Sequence, residues 1–412
     1  MNGIGKRIRK LRKEKKLTLE TLSGDQLSKS MLSLIENGKA QPSMESLHFI
    51  ASRLGVEVNA LLQDDDSEEV RLLLDKVEQL MAEANTVEMY EPIEKLIEPQ
   101  IPNLQKRNYE NARLLDLYAR LAYVTGSYKE ESHMRDAITR YKELNMFNHV
   151  IDCYIHLCWR QFEQRHYKEA LQFLHEAEAH TEGKQHFINN LTKLDMHYML
   201  TIMYLAVDDI ERAMEHLQEG IKLSKEDKIF YRIDDLYRFM LIRAIMDCDE
   251  KAAEYYILKL EQYSDFADDT AVKVSLNFIK AHYLNQFKKE FDEALTLLEE
   301  TVKSHKDVIS STGITGLFKV EEAYCHWALG HYEQSLELLK NEKVSEYIHH
   351  PYDLAISYQL FAIRALCYEE LGQHEKAMVE ITLGYNLVKP LPKNLYQSFI
   401  FDTYEKVTGM KV

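Results

Sequence analysis

The sequence predicts an all-α protein, a small domain of short helices followed by a long array of helical hairpins. Three observations carry that reading. Only 14 Gly and 7 Pro interrupt 412 residues, and a chain with so few breakers, rich in Leu, Glu, Lys and Ala, favours helix. Apolar residues return at three- and four-residue steps in one segment after another. A turn signature recurs about every 41 residues between positions 126 and 377, the mark of a repeat architecture. At this length one ordinary core does not suffice, so several domains or an array are expected.

The charge is unevenly spread. Residues 1–62 hold 11 Lys and Arg against six Asp and Glu, a balance of +5; the whole chain carries −16, so residues 63–412 carry −21. Only the first module is suited to a polyanion, and like-sign repulsion keeps the remainder off a phosphate backbone.

The first module divides into short helices. Ile4, Ile8 and Leu11 form an apolar stripe among Lys and Arg. Thr18 is placed to cap a helix over 19–23, which Gly24-Asp25 ends. Ser28 caps a third helix, with Met31, Leu32 and Ile35 expected inward and Asn37-Gly38 as a left-handed stop. Ser43 caps a fourth, with Leu47, Ile50 and Leu54 inward and Gly55 at its end. A fifth short helix is expected over 57–62.

The run "IGKRIRKLRKEKKLTLETLS…SKSMLSLIENGKAQPSMESLHFIASRLGV" resembles the phage-repressor-like helix-turn-helix family over residues 4–62. "IENGK", the following Pro-Ser and the closing "LGV" fall in the family's order. Two departures stand out: the turn before the third helix is one residue short, and Leu19 replaces a phosphate-contacting Gln. The resemblance implies that the third helix enters the major groove. Lys29, Ser30 and Ser33 would then face base edges, Leu34 a thymine methyl, and Ser28, Asn37 and Lys39 phosphates. It also implies a structural ion pair between Arg12 and Glu36. A single module of this kind grips weakly, so a dimer on two half-sites is expected.

Residues 63–70, "QDDDSEEV", read as an acidic joint, and an amphipathic linker helix follows to about residue 85. Beyond it the turn signature reads "GSYKEE" (126–131), "RHYKEA" (165–170), "DDIERA" (208–213), "CDEKAA" (248–253), "KEFDEA" (289–294), "GHYEQS" (330–335) and "GQHEKA" (372–377). Seven residues before each turn stand Ala119, Cys158, Thr201, Leu241, His282, Ala323 and Ala365. This pattern resembles the tetratricopeptide repeat, in which an aromatic at the start of the second helix and small residues on both helices allow close approach. Leu241 and His282 depart from it. The resemblance implies a right-handed α-solenoid of about eight hairpins over 86–412. An early pair would lie at 68–100 with Pro92, Pro99 and Pro102 at its turns, and a capping helix at 394–407.

Solenoids hold peptides and partner proteins on their concave faces. The family's groove positions fall here on Arg113, Asp116 and Arg120, then Asp152 and Trp159, then Asp195 and Tyr198. They continue to Asp235 and Arg238, and to Tyr283, Gln286 and Tyr324, with Asn277 one position off that line. Such residues suit an extended peptide: amide side chains clamp its backbone, Arg and Asp pair with its charges.

No chemistry is apparent. The chain has no P-loop, no GxSxG and no HExxH, since "HEKAM" at 374–378 lacks the second His. Cys153 and Cys158 flank His156 on different helix faces, and His349-His350 precedes Pro351 in a loop; neither reads as a metal site. No cofactor is expected. The five scattered cysteines read as reduced thiols of a cytoplasmic protein. No run of 18 apolar residues predicts a membrane span, and the N-terminus does not read as a signal peptide.

A repressor-type module fused to long tetratricopeptide-like repeats resembles the RRNPP group of peptide quorum-sensing receptors, most closely its NprR branch, which regulates neutral protease genes. That resemblance implies a transcription factor that binds operator DNA as a dimer or tetramer and is switched by a re-imported signalling peptide. It also implies a second role, inhibition of a response-regulator protein of the sporulation phosphorelay. Rap-type phosphatases share the repeats without the first module, so an enzyme is not expected.

Overall fold

The computed structural model describes residues 3–58, 61, 65–126 and 130–411. Every regular element among them is helical. The chain divides into two compact units, residues 1–146 and 147–412. The expected joint at 63–85 lies inside the first unit.

The first unit opens with α1 (Gly3–Glu14), α2 (Leu19–Ser23), α3 (Lys29–Glu36) and α4 (Met44–Leu54). The caps are chemical. The hydroxyls of Thr18, Ser28 and Ser43 accept from the backbone N–H of Thr21, Met31 and Ser46 at 3.0, 3.1 and 3.1 Å, each satisfying one orphan donor. Gly55 ends α4 at φ 63°. After α3 the left-handed residue is Gly38, at φ 70°; Asn37 stays at φ −90°. Ile8, Leu22, Leu32, Ile35, Ile50 and Leu54 make the core. Met31, expected inward, is 43 % exposed: only two of the three apolar positions fit the inner face of so short a helix. Leu19 packs against this core. Residues 59, 60 and 62 of the expected fifth helix lie outside the described residues.

The acidic joint is not an extended linker where it is described. Asp65 already belongs to α5 (Asp65–Glu83), whose Leu74 and Val77 are buried. Pro92 does not mark a turn either: it lies within α6 (Val87–Ile97), while Pro99 and Pro102 shape the 3-10 segment Glu98–Asn103. α7 (Tyr109–Thr125) and α8 (Glu130–Glu143) complete the first unit.

The described part of the second unit holds six hairpins and a last helix. They are α9 (Phe147–Glu163) with α10 (Tyr167–Thr181), α11 (Asn190–Ala206) with α12 (Ile210–Asp227), and α13 (Ile233–Met246) with α14 (Glu250–Ala267). α15 (Thr270–Tyr283) pairs with α16 (Phe291–Ser311), α17 (Thr315–Ala328) with α18 (Tyr332–Leu339), and α19 (Pro351–Glu370) with α20 (His374–Val388). These six pairs are followed by α21 (Gln397–Thr408), which packs on the last of them.

The turn signature has a direct backbone meaning. Its first residue takes a left-handed conformation in all seven copies: Gly126, Arg165, Asp208, Cys248, Lys289, Gly330 and Gly372, with φ between 55° and 81°. Its third residue is the first of the following helix at Tyr167, Ile210, Glu250, Phe291, Tyr332 and His374; Tyr128 lies outside the described residues. The residue between them donates back across the turn, as His166 does to Gln161 O at 2.8 Å and Asp209 to Tyr204 O at 2.9 Å, a Schellman-type closure. The small residues three positions on, Ala170, Ala213, Ala253, Ala294, Ser335 and Ala377, are all buried.

His282 departs from the small-residue rule for a structural reason. A π-helical segment, Leu284–Lys288, follows α15, and Glu290 N reaches back six residues to Leu284 O. One residue has been inserted into the helix. The small buried residue is therefore Ala281. His282 Nδ1 instead pairs with Glu321 Oε1 at 2.5 Å, and Asn285 Nδ2 donates to Glu321 Oε2 at 2.9 Å.

Candidate DNA-binding face and ligand cavity

The helix-turn-helix is built around the contact of α1 with α3. Gly5 makes the approach possible, because a Cβ there would collide with the Ile35 carbonyl. Beside it Arg12 grips Glu36 with both arms, Nε to Oε1 at 2.7 Å and Nη2 to Oε2 at 2.8 Å, while its Nη1 donates to Leu17 O at 2.9 Å. Glu36 is buried. A paired, buried carboxylate fixes α3 and does not present charge to a ligand.

The outer face of α3 carries Lys29, Ser30, Met31 and Leu34, all exposed. Ser28 is committed to its cap. Lys29 Nζ lies 3.7 Å from Glu20, an exposed pair of the kind that breaks easily. Asn37 donates from Nδ2 to Ser33 O at 2.7 Å and accepts from Arg9 at 3.4 Å. Ser33 is half-buried and Lys39 exposed. Not every basic residue is available: Arg7 is buried and donates to Leu61 O at 3.0 Å, and Arg53 donates to Thr21 O at 2.6 Å.

The sequence-derived groove residues are not all brought together. In the first unit Asp116 is buried and consumed, taking Arg113 at 2.8 Å, Arg120 at 2.6 Å and the Tyr141 hydroxyl at 3.3 Å. Arg113 also donates to Glu78 at 2.9 Å. Asp116 thus organises two arginines and does not itself face a groove.

In the second unit a cavity of about 510 Å³ opens among the first helices of successive hairpins. Trp159, Tyr198, Asp235 and Arg238 line it; Asp152, Asp195, Asn277, Tyr283, Gln286 and Tyr324 do not. The reasons differ. Asn277 donates to Thr301 at 3.0 Å. Tyr283 and Gln286 were counted back from a turn whose helix carries the inserted residue. Tyr324 is buried among Phe291, Trp327 and Phe399. Asp195 is engaged elsewhere, accepting from Tyr231 at 2.9 Å and Arg232 at 3.1 Å.

The wall is mainly apolar, with Phe162, Ile202, Phe239, Ile242, Phe278 and Leu317. Charges are placed within it. Arg232 bridges Asp195 and Asp235 (3.2 Å to the latter) and lies 4.5 Å over the Tyr198 ring. Arg238 pairs with Asp235, and its Nε is buried without a partner. Burial pushes the Tyr198 phenol up to about 12. Sequence reasoning missed the far side: residues 347–350, Tyr352, Asp353 and Tyr396. Pro351 starts α19 and His350 caps it, Nδ1 accepting from Tyr352 N at 3.2 Å; that cap signal was in the sequence, but no repeat rule points it at a cavity. The Tyr167 hydroxyl donates to His349 O at 2.7 Å, and Phe162 meets both His349 and His350. These contacts hold the segment before α19 against the hairpin of α9 and α10.

Among the described residues no cluster of His, Cys, Asp and Glu is arranged to hold a metal ion, and no helix is long and apolar enough to cross a membrane. The thiols of Cys158, Cys325 and Cys367 are raised by burial.

Residues 5–67 match the family described as a helix-turn-helix domain. Over 337 residues the chain is 24 % identical to the transcriptional activator NprA of Geobacillus stearothermophilus, covering 77 % of both chains. Over 63 residues it is 38 % identical to the immunity repressor protein of Bacillus phage phi105, covering 15 % of this chain and 44 % of that one. The apo form of RapI has a similar structure, with TM-score 0.50 and 12 % identity, covering 85 % of this chain and all of the other. The chain thus carries a helix-turn-helix module, is similar to NprA over most of its length, and shares the repeat fold of RapI.

Proposed function

We propose that this chain is a transcriptional regulator that binds operator DNA through α3 as a dimer or tetramer and is switched by a short peptide held in the cavity of the second unit. The observation that carries the reading is the pairing, in one chain, of a helix presenting Lys29, Ser30 and Leu34 outward with a deep, mainly apolar cavity that includes Trp159, Tyr198, Asp235 and Arg238. The similarity to NprA supports the regulatory role. A peptide acts only through different affinity for two arrangements of the protein, so its binding must favour one oligomeric or domain arrangement over another.

The test uses duplexes selected by the protein from a random library. Lys29→Ala with Ser33→Ala should weaken binding at least about tenfold and leave the helical circular-dichroism signal intact. Unchanged affinity in the double variant overturns the DNA assignment. A second reading is capture of a response-regulator protein by the repeats, with which the repeat fold shared with RapI is compatible. It requires co-elution of the full-length chain with a receiver domain in the absence of peptide; separate elution counts against it.

A further inference from the structure

Asp353 stands apart from every other carboxylate around the cavity. Asp235 is held by Arg232 and Arg238, and Asp195 by Arg232 and Tyr231. Asp353 lines the same cavity and its side chain is open to it, yet no side-chain hydrogen bond or ion pair engages it among the described residues. It lies in the first turn of α19, between the buried Tyr352 and Leu354. His350 and Arg238 are near enough to favour its charge, but loss of bulk solvent outweighs them and its carboxyl is raised above the ordinary range. Its side chain is exposed to the cavity, so the carboxylate is free to take its partner from a ligand.

The surroundings describe that partner. An anion would meet the Asp353 carboxylate. A purely apolar group would leave it desolvated and unpaired. A cation pairs with it and finds the aromatic residues Trp159, Tyr198 and Tyr352 lining the same cavity, which can add cation–π attraction. Phe239, Ile242, Phe278 and Leu317 can then take apolar side chains. We infer that Asp353 anchors a cationic group of the ligand, an Lys or Arg side chain or a free amino terminus, and so selects peptides in which a positive charge is flanked by apolar residues. This rests on the peptide reading above.

The test is affinity selection by the full-length protein from two mixed heptapeptide libraries, one with free and one with acetylated amino termini, read by mass spectrometry. Wild-type protein should retain cationic peptides preferentially. Asp353→Asn should reduce that preference about tenfold or more, as expected for loss of a charge-assisted contact, while apolar peptides are still captured. A preference that survives acetylation assigns the cation to a side chain; one lost on acetylation assigns it to the amino terminus. Capture without preference for cations, or a preference unchanged in Asp353→Asn, overturns this inference and leaves the peptide reading standing. Failure of the wild type to retain any peptide overturns both. Without ligand, Asp353→Asn should melt no lower than wild type, which separates recognition from a merely structural role.

Discussion

At the scale of single residues, this protein treats its carboxylates in two ways. Glu36 is buried with both oxygens bound by Arg12. Removing one partner of such a pair leaves an uncompensated charge, so Arg12→Ala should cost about 3 kcal/mol and lower the first thermal transition of the full chain. Glu322, on α17, is the opposite case. Burial, and then the neighbouring Glu299, push its carboxyl from 4.5 up to about 7, against the smaller opposing effect of Lys319. A raised acid favours the protonated folded form, so its destabilising effect is absent below pH 4.5, grows as pH rises toward 7 and is complete above it. Glu322→Gln should therefore raise the melting temperature at pH 8, by roughly 2 kcal/mol of stability, and have little effect at pH 4. Melting curves of the two proteins across that range test the sign; a variant less stable at pH 8 would contradict it.

At the scale of elements, local chemistry made the helix ends readable. Thr18, Ser28 and Ser43 cap where their side chains allow it, and the turn signature marks the left-handed residue and the first residue of the next helix in copy after copy. What was not legible depends on events with no local signature. The inserted residue at Leu284–Lys288 shifts the register of α15, and with it the placing of Tyr283 and Gln286. Met31 was misplaced because a short helix has room for few inward residues. Asp353 could not be found by repeat spacing, since it reaches the cavity through the start of α19. Close approach also depends on glycines. At Gly384 a Cβ would lie 2.7 Å from Phe361 Cβ, so Gly384→Ala should cost about 1–3 kcal/mol by overpacking. Gly5→Ala meets backbone at Ile35 and should abolish DNA binding while most of the helical signal remains. Denaturant titration and circular dichroism check the two variants.

At the scale of the whole molecule, charge and backbone strain are both unevenly distributed. The basic module is +5 and the remainder −21, so DNA affinity should fall steeply between about 50 and 200 mM salt, and Lys39→Ala should reduce the slope of log affinity against log salt by about one. A slope unchanged in that variant would remove Lys39 from the phosphate contacts. Strain follows a different pattern. Of the seven left-handed turn residues, Gly126, Gly330 and Gly372 adopt that conformation freely, but Arg165, Asp208, Cys248 and Lys289 do so at a steric cost of about 1 kcal/mol each. Those four turns close the hairpins that begin with α9, α11, α13 and α15, the helices that supply Trp159, Tyr198, Arg238 and Phe278 to the cavity. The steric cost is thus concentrated in the turns of the hairpins that line the cavity, where exchanging a glycine into or out of a turn would change stability without altering any residue of the cavity wall.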